Sequence, residues 1–277
     1  MDYRGYKVFK DNSGLIAGFY EGEDSCVGEF LENQYLIIED EDGKLVDCFR
    51  YYGEDLGFDK VPYPIIGNQV TGKYKPRNPQ QYCMFDLLKD RNIPIKLITG
   101  KFGTGKTLGC VVSSLEAVQN GEFEKIVFVR NNIQVRDTDP IGALPGDQFE
   151  KMLPWALAFA DHCGGLEGLQ QLIEAGQFEI VPLAFLRGRD IRNSIIYSME
   201  SENLTKEQVQ LIMGRVGEGS EVWFDGDLKQ RDRSIFEKSQ GLEKMIEKLA
   251  GRKQFGYVHL LKSERSEVAA MADLLDD

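Results

Sequence analysis

The hydrophobic and polar positions divide the chain into two regimes. In the first, Tyr6 to Phe9, Leu15 to Tyr20, Tyr35 to Ile38 and Leu45 to Phe49 read as strands. Asp42-Gly43 between the last two predicts a hairpin, because both residues tolerate the positive φ of a tight turn. Tyr35, Phe49, Tyr51 and Tyr52 offer either a stacking surface or a core, and we read them as core. The stretch from Val61 to Pro76, rich in proline and glycine, predicts a linker.

Beyond residue 75 short apolar runs alternate with amphipathic segments. Strands are predicted around Ile95 to Ile98, Ile126 to Val129, Phe178 to Val181, Ile195 to Glu200, Glu221 to Phe224 and Tyr257 to Leu261. Helices are predicted over Tyr82 to Leu88, Leu108 to Val118, Thr205 to Met213 and Gln240 to Leu249, with a last one following a Ser266 N-cap. Thr205 and Gln208 form a capping box. Between Pro140 and Asp161, Gly142, Pro145 and Gly146 predict a turn, Asp147 a cap, and Pro154 a bend in the helix that follows. Strands alternating with helices predict an α/β fold, with a mostly parallel sheet flanked by helices and a small N-terminal β module. The expected boundaries are 1–75 for the β module and linker and 76–277 for the α/β domain.

With 277 residues and 42% hydrophobic content the chain has ample material for a core. Its net charge of −12 argues against a surface built for indiscriminate binding to nucleic acid, so any such contact must be local. The five cysteines include no C-x-x-C pair, which disfavours a zinc site or a disulfide framework and fits a reducing cytoplasm. Neither a signal core near Met1 nor a run of about 18 apolar residues is present, so no membrane association is expected.

The chemistry concentrates in Gly100-Lys101-Phe102-Gly103-Thr104-Gly105-Lys106-Thr107, between a predicted strand and a predicted helix. Such a loop aims backbone N–H groups and a helix N-terminus at one point and so cradles phosphates. Gly103 and Gly105 permit the turn, Lys106 reaches the β and γ oxygens, and the Thr107 hydroxyl suits Mg²⁺. Gln81, at the entry to a helix, can either read an adenine edge or serve as a routine cap. Arg187, Arg189 and Arg192 suit phosphate contacts, from nucleotide or polynucleotide, or form a solvated turn. Asp227 and Gln230 follow a strand end where a γ-phosphate and a lytic water can be sensed, and Arg265 is either a surface charge or one reaching that phosphate. A P-loop kinase would also need an acceptor site, for which no residues stand out.

The ordered blocks K-P-R-N-P-Q-Q, G-K-F-G-T-G-K-T-L, A-L-P-G-D-Q-F-E-K-M-L-P-W, L-R-G-R-D-I-R-N, M-E-S-E-N, M-G-R-V-G, G-D-L-K-Q-R-D and S-E-R-S resemble the PhoH-like ATPases from about Lys75 to the C-terminus. The N-terminal module resembles the β segment that joins a PIN nuclease domain to the ATPase in two-domain members. With no such nuclease domain here, the chain is not expected to cut RNA. The resemblance implies a P-loop ATPase core related to superfamily-one helicases, binding ATP and Mg²⁺ and assembling as a homo-oligomeric ring such as a hexamer. Its implied track is RNA or single-stranded DNA. By position it implies that Asn78 and Gln81 face adenine, and that Gly100, Phe102, Gly103, Thr104, Gly105, Lys106, Thr107 and Leu108 hold the phosphates. Glu200 would be the base, Asp227 and Gln230 the sensor, with Asp227 joining Thr107 at the metal, and Arg265 the arginine acting within or across subunits.

One departure stands out. Where the family has D-E-A-Q-N, this chain has Met199-Glu200-Ser201-Glu202-Asn203, so a thioether replaces the magnesium-shell carboxylate and Glu202 replaces a glutamine. Hard cations want oxygen, so either Asp227 or Glu202 compensates or turnover is weak. In the latter case the chain would be an ATP-binding regulatory or scaffold protein.

Overall fold

The computed structural model describes residues 3–68, 72–130, 153–229 and 240–264. The chain forms two compact units, the first from 1–65, 75–106 and 245–277, the second from 66–74 and 107–244.

In the first unit, β1 (Tyr6–Lys10), β2 (Tyr35–Glu39), β3 (Leu45–Tyr51) and β4 (Phe58–Lys60) form one sheet in that order. β1 and β2 are parallel, and the Asp42-Gly43 turn joins β2 to β3 as the predicted antiparallel hairpin. Leu15 to Tyr20, expected as a strand, is instead helix α1 (Gly14–Tyr20). The Ser13 hydroxyl caps it by accepting from the Ile16 amide, and Ile16 and Phe19, three apart, bury one face against Val27, Leu36 and Ile38. A run of seven residues shows too little of either period to separate the two states.

The module is anchored within its unit by polar contacts. Arg50 of β3 is buried between Asp86 and Asp90, donating to Asp86 at 3.0 Å and forming a second ion pair with Asp90. The Tyr35 hydroxyl donates to the same Asp86 carboxylate at 2.8 Å. Asp86 belongs to α2 (Pro79–Lys89), and Asp90 is its C-cap. The Asn33 amide donates to the carbonyls of Arg252, Lys253 and Phe255. Tyr35 is fully buried and Phe49 packs half-buried against the module's core, in line with the core reading, whereas Tyr51 and Tyr52 are only half-buried.

The expected linker contains a short hairpin, β5 (Ile66–Asn68) with β6 (Gly72–Tyr74), which groups with the second unit. Six parallel strands carry the α/β part. β7 (Ile95–Gly100) pairs with β12 (Phe255–Leu260) in the first unit. In the second unit β8 (Lys125–Arg130), β9 (Phe178–Pro182), β10 (Ser194–Ser198) and β11 (Glu221–Gly226) lie in the order β11-β10-β8-β9. The pairings β7–β12, β11–β10, β10–β8 and β8–β9 are all parallel. They are almost wholly buried, as parallel strands covered by helices must be. Helix α3 (Lys106–Gln119) follows β7, and the Thr205–Gln208 capping box opens the helix Lys206–Met213 as predicted. Pro154 lies in a short 3-10 turn, Leu153–Ala156, ahead of the helical turn Leu157–Ala160. The expected turn and cap at Gly142 to Asp147, the Ser266 cap, and the candidates Gln230 and Arg265 lie outside the described residues.

Candidate nucleotide site

β7 ends at Gly100, and α3 starts at Lys106, so the glycine-rich stretch is a strand-to-helix loop. Gly105 has φ +91°, and a Cβ there would lie 2.9 Å from the Gln81 amide nitrogen; a Cβ on Gly100 would lie 2.4 Å from the Leu260 carbonyl oxygen. Gly100 therefore excludes a side chain by a clash with backbone, whereas Gly105 disfavours one through its positive φ. Inside the loop, the Thr104 hydroxyl and the Lys106 ammonium each donate to the Lys101 carbonyl at 2.9 Å. The lysine thus curls over the loop.

The start of α2 braces this loop. Asn78 is the N-cap, accepting from the Gln81 amide at 2.9 Å, while its own amide donates to Glu264 at 2.8 Å. Gln81, buried, donates from Nε2 to the Thr104 carbonyl at 3.0 Å and accepts at Oε1 from the Arg77 amide at 2.9 Å. The Glu264 amide donates to the Gly103 carbonyl at 2.9 Å. A groove of about 760 Å³ in the first unit is lined by Asn78 with Pro79, Gln80, Leu261 and Lys262, but by no residue of 100–108. It is therefore separate from the phosphate loop.

The second unit holds a carboxylate cluster of its own. The Thr107 hydroxyl donates to Asp225 Oδ2 at 2.9 Å, and the Tyr197 hydroxyl donates to the same oxygen at 2.8 Å. The Glu200 amide donates to Asp225 Oδ1 at 2.9 Å. Burial and the neighbouring Asp225 push the Tyr197 phenol well up, so it stays a donor. Asp225 is 1% exposed, a full burial that a carboxylate tolerates only when hydrogen-bonded. Met199 is buried just beyond β10. Glu200 takes a left-handed conformation, φ 52° and ψ 52°, unusual for a non-glycine residue. Its carboxylate forms an ion pair with Arg130 at the end of β8.

Glu202 accepts from the Asp227 amide at 3.2 Å, and burial pushes its carboxyl up to about 7, helped by Asp225 and Glu200. Asp227 accepts from the Lys229 amide at 2.9 Å with Oδ1, while Oδ2 is buried without a hydrogen-bond partner among the described residues. Of the three arginines, Arg189 makes a two-point ion pair with Glu179 at 2.8 and 3.2 Å, Arg192 pairs with Asp190 at 2.7 Å, and Arg187 is exposed.

Asp225, Tyr197 and Arg130 were not singled out from the sequence. In sequence Asp225 is one acid in a turn rich in Asp and Gly, and its sole signal is a position at the C-terminal end of a buried strand, where α/β proteins collect ligands. Among the described residues no three His, Cys, Asp or Glu side chains gather in a metal-holding group. Nor is any described helix long and apolar enough to cross a membrane.

Comparison with known proteins identifies the family. The family model described as "PhoH-like protein" matches residues 73–273. Protein PhoH2 of Bacillus subtilis is 31% identical over 290 aligned residues, covering 99% of this chain and 64% of that protein. Protein PhoH2 of Mycolicibacterium smegmatis is 34% identical over 210 residues, covering 75% of this chain and 48% of that protein. The chain thus spans about half to two thirds of the length of these relatives. Among solved structures, the large terminase of a thermophilic bacteriophage aligns over 71% of this chain and 46% of its own, at 12% identity and a TM-score of 0.36, too low to bear on function. Phosphate loop, ordered blocks and family match point the same way, and the chain belongs to the PhoH-like family of P-loop nucleotide-binding proteins.

Proposed function

We propose that the chain binds ATP with Mg²⁺ and hydrolyses it to drive a helicase-like motor or remodeller on RNA or single-stranded DNA. The observation that carries the reading is the loop 100–107, with its constrained glycines, its curled lysine and a helix starting at Lys106. The donor set fits the metal, since a hydroxyl and a carboxylate 2.9 Å apart beside a phosphate loop match a cation that takes few protein ligands and keeps its phosphates and waters. Bound Mg²⁺ would neutralise charge on the β and γ oxygens.

In this reading the loop amides and Lys106 hold the phosphates. Gln81 still has one N–H and one lone pair to offer an adenine edge. Glu200, its backbone held by Asp225, orients the attacking water and accepts its proton, with Gln230, Asp227 and Arg265 sensing the γ-phosphate. Arg187 is the arginine best suited to a polynucleotide, because Arg189 and Arg192 already pair with acids.

Lys106→Ala is expected to lower ATP turnover by at least a hundredfold, measured by phosphate release with and without RNA and single-stranded DNA. Equal turnover with and without polynucleotide would remove the track from the reading. A regulatory ATP-binding protein with little turnover is the second reading, favoured by the ion pair that ties Glu200 to Arg130. Turnover staying near zero even with polynucleotide would favour it.

A further inference from the structure

A magnesium ion at a P-loop is held through the loop's Ser or Thr hydroxyl and an acid from a strand end. Here Thr107 supplies the hydroxyl, but the residue just past β10, Met199, has no oxygen to offer. Thr107 instead donates to Asp225, at the end of the neighbouring strand β11. β10 and β11 pair in parallel with Ser198 beside Phe224, so the same register places Met199 beside Asp225. Laterally paired residues of parallel strands share a face and lie about 4.8 Å apart. A carboxylate at 225 therefore reaches the same neighbourhood as one at 199.

We propose that Asp225 is the acid of the magnesium shell in this chain, acting with Thr107 from β11 in place of a side chain on β10. Two observations and the chemistry of a hydroxyl carry the assignment beyond packing. The carboxylate is 99% buried yet placed at the threonine that opens α3, where burying a charge would otherwise be costly. Its Oδ2 gathers the Thr107 and Tyr197 hydroxyls and its Oδ1 the Glu200 amide, so one side chain ties the metal-facing hydroxyl to the backbone of the candidate base. A threonine hydroxyl has one proton and two lone pairs, so Thr107 can keep donating to Asp225 while a lone pair faces the cation. Tyr197 fixes the carboxylate's orientation. The chain thereby retains an acid for the metal despite Met199.

The assignment rests on the nucleotide-binding reading, and calorimetry separates the two. Binding of the non-hydrolysable analogue adenylyl imidodiphosphate is measured in Mg²⁺ and in EDTA for the wild type, Asp225→Asn, and the exchange variant Met199→Asp/Asp225→Asn. The Mg²⁺-to-EDTA affinity ratio should fall at least tenfold in Asp225→Asn and largely recover in the exchange variant, which also controls for folding. Displacement of Mn²⁺ signal in electron paramagnetic resonance should follow the same order. An Asp225→Asn ratio equal to wild type, or an equal loss in both media that the exchange does not repair, overturns the assignment. No affinity of the wild type in either medium would overturn the nucleotide-binding reading, and the assignment with it.

Discussion

At the residue scale the most consequential departure besides Met199 is Glu202, where the family pattern has glutamine. Burial, with Asp225 and Glu200 nearby, raises its carboxyl from 4.5 to about 7. Between those values the metal-free folded chain binds more protons than the unfolded one, so stability falls as pH rises through that window and stays lower above it. A shift of that size corresponds to about 3 kcal/mol at most. Glu202→Gln carries no such charge and should be more stable than wild type by up to that amount at pH 8, with the difference vanishing near pH 4.5. Urea unfolding at the two pH values checks it; a pH-independent difference would show that Glu202 does not titrate as described.

At the scale of elements, a charged contact joins β3 to α2. Arg50 is 3% exposed between Asp86 and Asp90, and its guanidinium lies 4.4 Å from the Tyr52 ring centroid. Burial pushes the Asp86 carboxyl up despite Arg50, whereas for Asp90 burial is outweighed by the Asn92 amide and Arg50, which hold it down. Arg50→Met keeps much of the volume but strands two half-buried acids, and removing one partner from such a pair costs roughly 3–5 kcal/mol. A thermal or urea melt should show a loss of that order, and a loss below about 1 kcal/mol would mean the acids find water instead. The same element carries Asn78 and Gln81, so α2 both closes the β module onto its unit and braces the phosphate loop.

At the scale of the whole molecule, the ring implied by the family resemblance makes a direct prediction. Native mass measurement with adenylyl imidodiphosphate and Mg²⁺ should show a closed oligomer, six copies on the family expectation, and a chain that stays monomeric under all nucleotide conditions would remove it. With a net charge of −12, any polynucleotide contact is confined to local basic positions, so its affinity should fall only shallowly with salt.

Periodicity and short motifs were sufficient for the α/β class, the six buried strands, the phosphate loop and the Thr205 capping box, because each depends on residues within a few positions of one another. The same local signals failed at Leu15 to Tyr20, where one cap and two buried contacts outweighed β-like composition. They were also silent about Asp225. Its side chain meets Thr107 across 118 positions of chain and Tyr197 across 28, and nothing local distinguishes it from Asp227 two residues on. Which acid meets the threonine is set by the nonlocal packing that brings the end of β11 to the start of α3, which no stretch of sequence encodes alone. Arg50 follows the same logic, a surface-type residue in composition that three-dimensional packing turned into a buried clasp.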